Sequence, residues 1–160
     1  MGISFVFKSE KGKIIERLGY YGIEEIPYLL INSGKEKIRG YTGNLTKEKI
    51  IELDNEIGID VMGLYLFHNY SNEIRLSFDA VHALKEQIGA NVLELDDLQA
   101  KELLKGRDIA LSREEFEKLR QKGEKTGFKI LKNNEEFIGT GKLTEEGRIV
   151  NYMPKERRLR

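Results

Sequence analysis

The stretch NVLELDDLQAKELLKGRDIAL, residues 91–111, contains a short strand, a helix and the start of another strand. Its first five residues are typical of a strand. Asp96 or Asp97 can cap the helix, because a short acidic side chain accepts hydrogen bonds from the free N–H groups of a first helical turn. Gly106 is expected to end the helix, and the next strand is predicted near Asp108.

The residues that follow have mainly the pattern of β-strands. The segment SREEFEKLRQKGEKTG, residues 112–127, predicts a short helix and a loop, and residues 127–155 predict three strands. We expect the first turn between these strands at Asn133-Asn134. A segment with several short strands and little helix is typical of a small, partly open barrel. This is the fold predicted for residues 91–160.

The first half of the chain alternates helix and strand patterns. Apolar residues at helical spacing predict helices with N-caps at Ser9, Thr46 and Asp79. Apolar runs interrupted by turn residues predict paired strands over residues 26–43 and 61–76.

Gly89 and Ala90 separate the two patterns, and we predict a domain boundary there. The predicted fold class is α+β, with an α/β domain over residues 1–90 and a small mixed β-barrel over residues 91–160. The first part carries 11 basic and 13 acidic groups and the second 16 and 14, so the second is slightly more positive. Its positive charges concentrate near Arg107 and at the chain end.

The overall composition gives the chain no net charge that would attract nucleic acid or a membrane. The chain has 27 basic and 27 acidic residues, so nucleic acid or membrane would have to be met by a local patch. No stretch is long and apolar enough to predict a transmembrane helix. The start lacks the charged region and the cleavage site of a signal peptide, which predicts a cytoplasmic location.

Side chains suited to catalysis or metal binding are few. The absence of cysteine excludes disulfides, thiolate metal sites and cysteine nucleophiles. His68 and His82 are the only histidines, and neither has another histidine at ligand spacing. The segment FIGTGKL, residues 137–143, lacks the first glycine and the final Ser or Thr of a phosphate loop. We therefore expect Gly139 and Gly141 to mark a bulge or close packing, and we predict no metal and no cofactor.

Two short stretches concentrate positive charge. LLKGRD, residues 103–108, places a glycine between two cations at the predicted helix end, and PKERR, residues 154–158, follows the last strand. The helix macrodipole alone would favour the cations of LLKGRD, because they lie at a helix C-terminus. A solvated tail would explain the cations of PKERR. The alternative is a nucleic-acid contact, in which Asn151 and Tyr152 would reach a base or a ribose. Tyr152 fits a core position with a polar tip equally well.

The order of these stretches resembles the PUA domain, an RNA-binding module named for pseudouridine synthases and archaeosine transglycosylases. The likeness covers residues 91–158 and is carried by VLELDDLQAKELLKGRDI, by GFKIL and FIGTGK, and by GRIVNYMPKERR. The last of these is similar to the final strand of the PUA region in Sun-family RNA cytosine-5 methyltransferases. Residues 9–89, which include EIRLSFDAVHAL, resemble the pre-PUA domain of archaeal RNA-binding and ribosome-biogenesis proteins.

The resemblance implies an RNA-facing surface formed by the helix, the loop after it and the final strand. The residues implied at this surface are Lys101, Lys105, Gly106, Arg107, Arg148, Asn151, Tyr152, Lys155, Arg157 and Arg158. The implied partner is structured RNA, either tRNA or rRNA.

Catalysis is not expected. Cytosine-5 methylation requires a cysteine thiolate, which this chain lacks, and no glycine-rich strand–helix turn suits S-adenosylmethionine. The first hypothesis is a non-catalytic RNA-binding protein, acting in ribosome biogenesis or beside an RNA-modification enzyme. One alternative is a small-molecule enzyme in the first domain, with Asp79 and His82 as candidates. The other is a protein-interaction adaptor whose basic tail binds an acidic partner.

Overall fold

The computed structural model describes residues 2–160, which form two five-stranded sheets. The first sheet is antiparallel throughout, and its strands lie in chain order. Its strands are β1 (Ser4–Phe5), β2 (Leu29–Ser33), β3 (Lys37–Tyr41), β4 (Leu64–Asn69) and β5 (Ile74–Leu76). The accompanying helices are α1 (Lys8–Leu18), α2 (Lys47–Ile57) and α3 (Phe78–Ala83), with 3-10 turns at Gly19–Tyr21 and Lys85–Gln87.

The second sheet has the strand order β6-β8-β9-β10-β7 and curls into a half barrel. Only β6 and β8 are parallel. The strands are β6 (Val92–Glu94), β7 (Ile109–Ala110), β8 (Gly127–Asn133), β9 (Glu136–Leu143) and β10 (Arg148–Asn151). The helices are α4 (Asp97–Leu104) and α5 (Arg113–Gln121), and a 3-10 turn covers Lys155–Arg157. The predicted α+β class and the partly open barrel are confirmed.

The helix starts confirm one predicted cap of the first half and correct two. Thr46 accepts a hydrogen bond from the backbone N–H of Lys49 and caps α2, as predicted. The prediction for Ser9 is wrong, because α1 begins at Lys8 and Ser9 lies inside its first turn. The prediction for Asp79 is also wrong. Ser77 caps α3 by accepting from Ala80 N at 3.0 Å, and Asp79 occupies the first turn, where the macrodipole favours an acidic residue.

The β8–β9 hairpin turns one residue later than predicted. Asn134 and Glu135 have φ angles of 47° and 70°, as a tight hairpin turn requires. Asn133 remains paired with Glu136 at the end of the strand. Its Nδ2 donates to the Leu95 carbonyl at 2.9 Å, which holds it out of the turn.

The two glycines of β9 have the packing role that the sequence predicted. The register with β8 shifts between Leu131 and Lys132, opposite Gly139, which marks a bulge. A Cβ on Gly141 would lie 2.7 Å from Cγ2 of Ile149, so the neighbouring strand leaves no room for a side chain.

Strand β8 contributes side chains to two apolar cores. Phe128 and Ile130 pack with Leu18 and Phe67 in the core of the first sheet. Leu131 packs in a second core between the second sheet and its helices. Successive side chains of a strand point to opposite faces, so one strand can serve both cores. The two sheets therefore meet in an apolar junction, and the domain boundary at residue 90 stays a prediction.

A buried ion pair lies at the same junction. Lys129 has no exposed side-chain surface, and its Nζ donates to Glu124 Oε2 at 2.9 Å and to Asn91 Oδ1 at 2.8 Å. Asn91 in turn donates from Nδ2 to the carbonyl oxygen of Tyr20 at 2.6 Å. Because a buried charge needs both a counter-ion and hydrogen bonds, this cluster fixes β8 against the end of α1.

Candidate nucleic-acid interface

Helix α4 has a fixed start and a sharply defined end. Asp96 Oδ1 accepts from Gln99 N at 2.8 Å, and Gln99 Oε1 accepts from Asp96 N at 3.0 Å. This reciprocal pair is a capping box. The chain reverses after the helix at Gly106, whose φ is 85°. Lys101 and Lys105 are exposed on this short, rigid element.

The chain end packs directly against the end of α4. The backbone N–H of Leu159 donates to the Leu104 carbonyl at 2.7 Å. The side chain of Arg158 crosses Gly106 so closely that a Cβ there would collide with Arg158 Cδ, and Arg158 Nε donates to the Met153 carbonyl at 3.1 Å. The end of α4 with Gly106 and the tail residues Arg158 and Leu159 therefore meet on one face, which we call the α4–tail face.

Asn151 holds this face together through its side chain. Its Nδ2 donates to the carbonyls of Leu103 and Arg107, each at 2.8 Å, and its Oδ1 accepts from Met153 N at 2.7 Å. Its backbone N–H donates to Asp108 Oδ1 at 2.9 Å. The side-chain amide is thus occupied within the protein, which gives Asn151 a positioning role.

Two arginines at or near this face, Arg107 and Arg148, have a carboxylate partner. Arg107 pairs with Glu102 at 2.9 Å, and the hydrogen bond from Arg107 lowers the pKa of Glu102. Arg148, at the end of β10 next to β7, pairs with Asp108 at 2.7 Å.

The lysines differ from the arginines. Lys101, Lys105 and Lys155 are exposed and form no ion pair within residues 2–160. They are therefore the side chains most readily available to an anionic partner.

Two of the implied residues lie away from this face, at the junction of the two sheets. Arg157 pairs with Asp79 of α3 at 3.1 Å and lies 5.1 Å from the centre of the Phe78 ring. Tyr152 is half-buried, with its ring edge-on to Phe128. The structure therefore brings together Lys105, Gly106, Arg107, Asn151 and Arg158 at the α4–tail face but separates Tyr152 and Arg157 from it.

Sequence reasoning missed a groove beside Tyr152 and Arg157. It is a cavity of about 520 Å³ between the first sheet and the segment that follows β10, and Arg39, Tyr65 and Arg75 of the first sheet line it. Arg39 and Tyr65 are cross-strand neighbours on β3 and β4. The sequence shows that these residues alternate with apolar residues along their strands. It does not show the pairing register of the strands or the packing of the second half, and the groove depends on both.

A larger cavity of about 830 Å³ opens between α1, the β4–β5 turn and the start of β8, and Arg17 and Glu73 are among its lining residues. Arg17 is occupied there by Asn69 Oδ1 and by the carbonyls of Tyr70 and Ser71. These bonds fix the β4–β5 turn to α1, so Arg17 has a structural role.

The candidate residues for an enzyme have other partners. Asp79 accepts from Arg157, and the His82 ring packs edge-on to Phe78 at 4.8 Å. His68 contacts Glu36 at 2.8 Å and stacks on Tyr70. Within residues 2–160, no three acidic or histidine side chains cluster as metal ligands would. No helix in the same range has the length and apolar character needed to cross a membrane.

Comparison with known families identifies the second half of the chain. Residues 90–159 match the family model described as the Methyltransferase RsmF PUA domain. The matched segment contains the second sheet, both of its helices and the α4–tail face. No curated protein matches the chain.

The predicted PUA domain, with its likeness to the PUA region of Sun-family methyltransferases, is confirmed. A PUA domain suggests RNA as the partner class. The pre-PUA resemblance of residues 9–89 lies outside the matched segment and stays a prediction.

Proposed function

We propose that this chain is a non-catalytic RNA-binding protein that recognises structured tRNA or rRNA through the α4–tail face. The observation that carries the proposal is the PUA match together with the exposed, unpaired lysines at that face. Lys105 lies at the end of α4 and Lys155 lies in the tail that packs against this end, so we expect both lysines to reach one RNA.

This surface suits the backbone of a folded RNA. A-form RNA hides its base edges in a deep major groove, so proteins recognise it mainly by shape and through phosphates and 2′-hydroxyls. Lysines act as point charges for phosphates and release condensed counterions when they bind. The paired arginines can exchange their carboxylates for phosphates, since Arg107 and Arg148 are both largely exposed, at 63% and 60%.

The absence of catalysis is part of the proposal. A cytosine-5 methyltransferase attacks its base with a cysteine thiolate, and the sequence contains no cysteine. The chain would recognise RNA in the cytoplasm, during ribosome biogenesis or for a separate RNA-modification enzyme, without carrying out the reaction itself.

Filter binding of labelled total RNA across a salt series tests the proposal. We expect retention of RNA that falls steeply as salt rises, with tRNA or rRNA competing better than an unstructured homopolymer. The same preparation should transfer no methyl group from S-adenosylmethionine to RNA. Retention that is absent at low salt, or methyl transfer by the chain alone, would contradict the proposal.

A further inference from the structure

The groove between the first sheet and the segment that follows β10 combines positive charge with aromatic side chains. We call it the junction groove; β3, β4, β5 and the start of α3 form one wall, and residues 152–157, which follow β10, form the other. Its volume of about 520 Å³ is in the range of small-ligand sites. The lining side chains that matter here are Lys37, Arg39, Tyr65, Arg75, Tyr152 and Arg157.

The charge of the junction groove favours an anion. The lining includes four cationic side chains and two carboxylates, Asp79 and Glu156. Asp79 is already paired with Arg157. Arg39 and Arg75 form no ion pair within residues 2–160, and both are partly buried, where solvent screens their charge less.

Donor atoms in the junction groove lack acceptors. Nε of Arg39, Nε of Arg75 and Oη of Tyr65 are buried and have no hydrogen-bond partner among residues 2–160. All three belong to side chains that line the same groove. Burial raises the pKa of Tyr65, so its hydroxyl remains protonated and able to donate. Buried polar groups are nearly always paired in native proteins, so these three side chains have unused hydrogen-bonding capacity beside the groove, although the three atoms themselves do not face its open space.

The same side chains offer stacking surfaces. The Arg75 guanidinium lies 4.5 Å from the centre of the Tyr152 ring, and Lys37 Nζ lies 5.5 Å from that of Tyr65. Aromatic rings and guanidinium planes are the surfaces on which proteins stack unpaired RNA bases.

The tail forms a common border of the junction groove and the α4–tail face. In the tail, Arg157 lines the groove while the next residue, Arg158, crosses Gly106 on the other side. A strand that lies on the α4–tail face can therefore pass over this turn and enter the groove.

We propose that the junction groove binds one unpaired nucleotide of the RNA, with its phosphate at Arg39 and Arg75 and its base on the layer formed by Arg75 and Tyr152. The assignment rests on the proposed function, since it makes the groove an extension of the RNA-binding face. A free nucleotide shares this chemistry, but the common border with the α4–tail face favours a nucleotide held within an RNA strand.

Binding measurements on the full chain test the assignment. The probes are a labelled hairpin RNA with a single-stranded extension, the same hairpin without the extension, and uridine monophosphate. Arg39→Gln and Arg75→Gln should each weaken binding of the extended hairpin about tenfold, or about 1.4 kcal/mol. Each should also lower the slope of log affinity against log salt by roughly 0.7. The hairpin without the extension should lose much less.

Matched variants separate charge from geometry and from folding. Arg39→Lys and Arg75→Lys keep the charge, so they should restore the salt slope but only part of the affinity, because lysine cannot stack or donate as a planar fork. Arg113→Gln on α5 removes an exposed arginine that does not line the groove, and it should leave binding unchanged. Thermal unfolding of each variant shows whether lost binding reflects lost structure.

Crosslinking of the unmodified chain gives an independent readout. A mixed-sequence extension that carries 4-thiouridine should crosslink to peptides containing Tyr65 or Tyr152. Crosslinks confined to α4 and the tail, or glutamine variants that bind the extended hairpin like the unmodified chain, would overturn the groove assignment while leaving the proposed function intact. If uridine monophosphate binds as tightly as the extended RNA, the assignment to an RNA strand is wrong and the ligand of the groove is a free nucleotide. Failure of the unmodified chain to bind either hairpin would remove both proposals.

Discussion

Gly106 shows how a single residue shapes the α4–tail face. Its φ of 85° lies where a side chain is strained, and Arg158 occupies the space that a Cβ would fill. The glycine that the sequence predicted as a helix end therefore also allows the tail to cross the helix.

Replacing Gly106 by alanine should cost about 1–2 kcal/mol from the left-handed backbone alone. It should also displace Arg158 and weaken RNA binding. Urea unfolding and filter binding measure the two effects. Gly12→Ala is the matched control, because Gly12 lies in α1 with nothing within 4 Å of the added Cβ. That change should stabilise by about 0.5–1 kcal/mol. Equal effects at the two glycines would refute this role for Gly106.

Arg157 makes a second residue-scale prediction, because its pairing with Asp79 joins the tail to α3. Arg157→Ala and Asp79→Ala break the same half-exposed ion pair, so each should destabilise by less than about 1 kcal/mol. The two variants should change the affinity for RNA in opposite directions. Arg157→Ala removes a cation and should weaken binding, whereas Asp79→Ala releases the cation and removes a competing carboxylate. Titration of labelled tRNA with both variants checks this, and parallel losses would assign Arg157 a purely structural role.

At the scale of elements, sequence patterns predicted best where the signal is local. The strand–helix–strand order around α4 and the stop at Gly106 follow from neighbouring residues and are confirmed, and of the two predicted caps, Asp96 and Asp97, Asp96 is the one in the structure. The cap of α3 was misplaced because Ser77 and Asp79 are both good N-terminal residues two positions apart. The burial of Lys129 could not be predicted locally, since its partner Asn91 is brought to it only by the pairing of β6 with β8.

The buried pair on β8 yields an element-scale prediction. Glu124→Gln leaves the Lys129 charge buried with a neutral partner and should destabilise by about 1–3 kcal/mol. Lys129→Met removes the charge itself and should cost less, because replacing a buried charge by an apolar side chain of similar length can be nearly neutral. Chemical denaturation of both variants shows which of them loses more unfolding free energy. A larger loss for Lys129→Met would show that the ammonium group contributes net stability.

At the scale of the whole molecule, the two sheets depend on each other through β8 and through the junction groove. The sequence predicted a change of pattern near residue 90, but it did not show that Phe128 and Ile130 pack in the first core. Prediction of the candidate site had the same limit, because packing between distant parts of the chain has no local sequence pattern. The α4–tail face could be inferred from two basic stretches, whereas the groove required the packing of both halves.

A fragment that begins at Ala90 tests this dependence. We expect it to fold and to bind RNA more weakly than the whole chain. It should also be less stable, because Phe128 and Ile130 would lose their contacts with the first core. Circular dichroism and denaturant titration measure both properties. A fragment without secondary structure would show that the halves form one folding unit.

The central claim is that cations from α4 and from the tail bind one RNA. Its most direct test is the salt dependence of tRNA binding by the double variant Lys105→Ala/Lys155→Ala, which removes one unpaired lysine from each stretch. Lys118→Ala/Lys122→Ala on α5 and its C-cap is the control of equal charge. If both lysines of the α4–tail face contact phosphates, the slope of log affinity against log salt should fall by roughly 1.4 to 1.8 in the test variant alone. An unchanged slope, or an equal fall in the control, would contradict the account.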